Sequence, residues 1–171
     1  MSNDLKPSDV LYQGVSTLPG WDRQLHRARD FNGSADQFYV GGVLSSVLLA
    51  GGEDEHPVAL AGHLNDEGQG EMTVVYSTHL VRVVVVSLVR PKHEVKVSLH
   101  PLSAARNIAV STSHVFYHGV EEGNARHKDI RVEFEIHGQT LTLERARYNL
   151  SPITGDDAIL AAFKALRAAV L

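Results

Sequence analysis

MTVVYSTHLVRVVVVSLV, residues 72–89, decides the fold. Branched side chains are stiff in a helix and suit a pleated surface, so Val74, Val75 and the run from Leu80 to Val89 read as strands. Ser77-Thr78 makes a tight turn between them, because short hydroxyl side chains bond their own backbone. In the second strand Val84, Val86 and Leu88 point one way, and Val81, Val83, Val85 and Val89 the other. Both faces therefore need cover, either from a helix of the same chain over residues 34–50 or from a second copy.

Strand signals continue on both sides of this stretch. PVALAGHL (57–64) precedes it, separated by the turn residues NDEGQG (65–70). After Pro91, HEVKVSLH (93–100) alternates, with Val95, Val97 and Leu99 inward and Lys96 and Ser98 outward. Residues 107–117 form a further candidate. Residues 129–137 alternate through Ile130, Val132, Phe134 and Ile136, and 140–147 pair back across a Gly138-Gln139 turn with Leu141 and Leu143 inward. About seven strands in meander order result.

Helical signals flank the strands. Residues 34–50 carry Ser34 as a cap, Gln37 three residues on, and Phe38, Leu44, Val47 and Leu48 on one face, with Gly51-Gly52 as a stop. Residues 154–171 form the best helix, capped by Thr154, with Ile159, Leu160, Phe163, Leu166 and Val170 as its apolar stripe. Residues 1–33 read as a partly ordered leader in which Val10, Leu11, Tyr12 and Trp21 could anchor an arm, and 34–171 as a single domain.

With 171 residues and 43% apolar content, the chain can bury one real core. A net charge of −4 gives no electrostatic reason to expect nucleic acid. The absence of cysteine excludes disulfides, thiolate metal sites and a cysteine nucleophile. The start, MSNDLKPSDV, lacks a basic-then-apolar signal pattern, and the apolar stretch 38–50 is too short for a bilayer. A cytoplasmic protein with no membrane insertion is expected.

Several local features share one order: a helix ending at Gly52-Glu53, the turn Ser77-Thr78-His79-Leu80 followed by Arg82, the step Pro101-Leu102-Ser103, and AILAAFKAL at 158–166. Together they resemble the bacterial pleckstrin-homology-like domains. The resemblance implies an α+β, mainly β fold: about seven antiparallel strands in a barrel or two orthogonal sheets. A C-terminal helix would cap them, and the N-terminal helix would pack outside. It also implies a scaffold for binding rather than catalysis, with a protein partner or a homo-oligomer as the expected contact. Membrane-targeting members of the family hold inositol phosphates with basic residues in the first hairpin loop. Here that loop, GHLNDEGQGE (62–71), has three acids and no lysine or arginine, which argues against phosphoinositides.

No catalytic arrangement is legible: no serine sits in a nucleophile elbow, and no glycine loop follows a strand with phosphate-cradling spacing. Nothing calls for a cofactor. Ten histidines stand out. His114 and His118 would share a metal only if the chain bends after Tyr117, with Glu121 or Glu122 as a third ligand, since i and i+4 on a strand lie roughly 13 Å apart. A small-ligand or metal-binding barrel with histidines at its mouth is thus the alternative function. His56, His63 and His79 could gather at one rim. Arg90, Lys92, Lys96 and Arg106 form a basic stretch suited to an acidic partner, or simply a charged sheet face.

Overall fold

The computed structural model describes residues 4–30, 40–88, 92–114, 128–147 and 150–171. Three helices come first: α1 (Pro7–Val15), α2 (Trp21–Asp30) and α3 (Val40–Gly51). Four strands follow, β1 (Ala59–Leu64), β2 (Gly70–Val75), β3 (His79–Ser87) and β4 (Glu94–Pro101), in one antiparallel sheet of order β1-β2-β3-β4. A 3-10 turn at Leu102–Ala104 leads to a second sheet of β5 (Arg106–Ser111), β6 (Arg131–Ile136) and β7 (Gln139–Glu144), in that order. Helix α4 (Asp156–Val170) ends the chain. The seven strands, the closing helix and the outer N-terminal helix match the expected class, but the two sheets remain separate and do not close into a barrel.

Strand β3 is covered along one face and, at its start, on the other. Val81, Val83 and Val85 pack with Leu11, Val15, Leu18 and Trp21 of the N-terminal region and with Val40, Val43 and Val47 of α3. Leu80, on the opposite face, joins a second core with Val132, Phe134, Leu143, Ile159 and Leu166. The β3–β4 register shifts between Val85 and Ser87, and this irregularity returns Leu88 to the helix-side core. Leu88 therefore does not follow Val84 and Val86, because an extra residue in a strand reverses the alternation beyond it. The Ser77-Thr78 turn is present, closed by the Tyr76 amide donating to the His79 carbonyl at 2.8 Å.

Residues 7–30 form two helices that contribute to the core. Of the four anchors read from the sequence, Leu11 and Trp21 are buried, Val10 is half-buried and Tyr12 is exposed. Trp21 also donates its indole N–H to the Glu71 carbonyl at 3.2 Å. Gly14 lets α1 lie close to the sheet: a Cβ there would sit 2.6 Å from Ile153 Cδ1 and 2.9 Å from Leu60 Cδ2. Each buried large side chain of this region contributes roughly 1.5–3 kcal/mol of transfer free energy before entropy. The expected capping residues Ser34 and Gln37, with Phe38, lie outside the described residues.

Helix α4 is rotated slightly from the expected stripe. Ala158, Ile159, Ala162 and Leu166 are buried, Leu160 and Phe163 are half-buried, and Val170 is exposed. Small alanines form the contact line and the bulkier residues flank it. Thr154 is not the helix cap; Gly155 holds that position. The Thr154 hydroxyl instead lies 3.0 Å from the Thr17 hydroxyl and accepts from the Ser151 amide at 2.9 Å, which ties the α4 approach to the end of α1.

Candidate functional site

The inter-sheet face of the four-stranded sheet changes character along its length. At one end Ala59, Val75 and Leu80 are sealed by the second sheet and α4. Toward the other end the pairings Thr73↔Arg82 and Arg82↔Ser98 put an arginine and a serine on the same face, and on the edge strand His100, paired with Leu80, adds a histidine beside them. Alternation alone thus carries an apolar surface into a polar mouth. The β6–β7 hairpin reaches over this mouth through a two-residue turn, His137-Gly138, one residue earlier than the sequence pattern suggested.

Arg82 is the anchor of the mouth, with its side chain only 12% exposed. It donates from Nη2 to Glu71 Oε2 at 2.9 Å and from Nη1 to Gln139 Oε1, so one guanidinium links β2, β3 and β7. Beside it, His100 Nδ1 meets His137 Nδ1 at 3.1 Å, and His100 Nε2 meets the Ser98 hydroxyl at 2.9 Å. Burial pushes the His100 imidazole below its ordinary pKa of 6.5, and the neighbouring His137, Arg82 and Lys96 push it the same way. A cavity of about 400 Å³ opens here, walled by Val84 and Val86 and by the cationic Arg82 and Lys96. On the far side of β7 a second cavity of about 560 Å³ mixes charges of both signs, from Glu71 and Glu144 to Arg131 and Arg145.

The opposite face of β4 is apolar. β4 is the last strand of its sheet, and among the described residues no strand pairs with its outer edge. Val95 and Val97 are half-buried against α3, but Leu99, expected inward, is 54% exposed. Leu49 on α3 is 71% exposed. Between helix and strand lies a groove of about 530 Å³ lined by Val43, Ser46, Leu49, Ala50, Val95 and Val97, with His93 at one end.

The residues singled out from the sequence fall in different places. Lys92, just before β4, and Lys96, within it, are exposed, and Lys96 faces the mouth. Arg106 turns back to donate to the Ser103 and Ala105 carbonyls at 2.8 Å each. Arg90 and His118 lie outside the described residues, as do Tyr117, Glu121 and Glu122. His114 is half-buried, and its amide bonds the Thr112 hydroxyl. His63 and His79 sit at opposite ends of the first sheet and do not gather. His79 Nε2 is instead held 2.8 Å from the Gly51 carbonyl, which can only accept, so that nitrogen carries the proton. His93 and His100 face opposite sides of β4, as the strand period requires. Among the described residues no three histidine, aspartate or glutamate side chains group as metal ligands. The pairing of His100 with His137 had no sequence signal, since it depends on the register of one sheet and the turn of another.

Among the described residues no helix is long and apolar enough to cross a membrane. Comparison with protein-family models, with curated proteins and with solved structures found no significant match.

Proposed function

We propose that this chain is a non-enzymatic interaction module, organised like a pleckstrin-homology domain, that takes an extended polypeptide segment as an added strand on β4. The observation that carries the reading is the asymmetry of that edge. An added strand would hydrogen-bond the open backbone of β4, and its side chains would alternate between two surfaces. One set would enter the apolar groove beside Leu49, Val95 and Val97. The other set would face Lys96, Ser98 and His100. The partner that fits alternates apolar and acidic residues. A second copy of β4 fits less well, because it carries Glu94 and Lys96 together and so offers no row of acids to Lys96, Ser98 and His100.

An eight-residue peptide alternating valine and glutamate, matched to the eight residues of β4, tests the reading by amide chemical-shift titration. Shifts confined to β4 and α3, weakened by salt and by Leu49→Lys, are the expected result. The same peptide with lysine for glutamate should leave the spectrum unchanged, and light scattering should give a monomer. Equal binding of both peptides, or no response at β4 to the acidic one, would sink the proposal.

A further inference from the structure

We infer that His100 and His137 form a two-histidine site for a divalent transition metal of the zinc, nickel or copper class, at the open end between the sheets. Their Nδ1 atoms are 3.1 Å apart. Two nitrogens bound to one ion at about 2.0–2.1 Å lie roughly 2.8–3.4 Å apart on neighbouring corners of a square or tetrahedron. The ring centroids are 5.1 Å apart with planes tilted 47°, so nitrogens rather than ring faces converge. An ion would take the place of the proton that the two nitrogens otherwise share, and binding releases that proton.

Two features independent of that distance point the same way. Ser98 Oγ is 2.9 Å from His100 Nε2 and can accept its N–H, which leaves the Nδ1 lone pair free to ligate; metal-bound histidines are oriented by such partners. His137 occupies the first central position of its hairpin turn with φ +49°, followed by Gly138 at +77°. Asparagine or glycine is the easier residue at that position. A histidine there gains a purpose from its convergence on His100. Arg82 and Lys96 face the same space and lower the affinity for a bare cation, while Glu94 lies at its edge. The two cations favour an anion or hydroxide in the coordination positions that the protein leaves open. The site lies on the opposite side of β4 from the apolar groove and does not depend on strand addition there.

Calorimetric titration of the full chain with zinc and with copper chloride at about pH 7.5, where histidine is neutral, tests the assignment. One equivalent should bind, copper more tightly than zinc, and saturating metal should raise the melting temperature. His137→Asn suits the turn and should fold as well as the parent or better, yet lose saturable binding. His100→Gln should lose it too, Ser98→Ala should weaken it about tenfold, and His93→Ala should leave it intact. The copper complex should show nitrogen hyperfine coupling that is absent in His137→Asn. No saturable binding in the parent, or binding unchanged in both His137→Asn and His100→Gln, would overturn the assignment.

Discussion

The space between the two sheets has a closed end and an open end, built on one face of the same strands. At the closed end Leu80 shares one core with Phe134, Leu143 and the alanine-lined face of α4. Two residues further along β3 the same face presents Arg82, and the edge strand beside it presents Ser98 opposite Arg82 and His100 opposite Leu80. Burial of apolar area holds the first end. Directed hydrogen bonds from one guanidinium and one imidazole pair hold the second. The comparison separates stability from recognition: the end that contributes most to folding offers nothing to a ligand, and the end that can bind contributes little burial.

Truncation at each end is the strongest way to break that contrast. Phe134 is fully buried, and Phe134→Ala should lower the unfolding free energy by about 3–5 kcal/mol in a denaturant titration. Val86, 47% exposed in the mouth wall, is the matched probe. Val86→Ala should change stability by no more than about 0.5 kcal/mol. Comparable losses at both positions would mean that the mouth is sealed in solution.

A polar atom inside a sealed region sharpens the comparison. The Tyr76 hydroxyl is buried and, among the described residues, meets no hydrogen-bond partner, while its ring stacks on His79 with centroids 4.9 Å apart. Burial, with help from the Glu55 carboxylate, pushes its pKa up to about 12, so the group stays neutral through the ordinary range. Removing an unsatisfied buried hydroxyl while keeping the ring should help. Tyr76→Phe should stabilise the protein by about 1 kcal/mol, read as a rise in melting temperature. A loss of similar size would show that the hydroxyl is hydrogen-bonded in solution.

The strands were legible because their signal is local. Val95 and Val97, Ile130 to Ile136, and Leu141 and Leu143 alternate within a few residues, and each such run is a strand. Residues 7–30 were harder: Leu11, Val15 and Leu18 hold helical spacing, but Gly14 and the Pro19-Gly20 break interrupt it, and the burial that stabilises these helices comes from β1 to β3. The rotation of α4 was hidden because bulk suggested Phe163, whereas close approach selected Ala158 and Ala162. The lysines near β4 could be read directly: Lys92 lies just before the strand and Lys96 within it, alongside Glu94. His100 and His137 are 37 residues apart, and only a strand register and a turn placed one residue earlier bring them together.

Acid is the gentlest probe and acts at the open end. The folded-state pKa of His100 lies below its ordinary 6.5, so near and below that value the unfolded chain binds more protons at this residue than the folded one. Stability then rises with pH: the contribution is complete above about 6.5 and is lost as pH falls toward the lowered folded value. His100→Gln should remove this part of the slope, seen as a flatter plot of unfolding free energy against pH. His137→Asn should remove only some of it, because burial, the larger cause, remains along with Arg82 and Lys96. Phe134→Ala should lower the whole curve and leave its slope unchanged, since no titrating group at the closed end is altered. If His100→Gln and the parent run parallel through this range, the imidazole is more solvated than its contacts with Ser98 and His137 require.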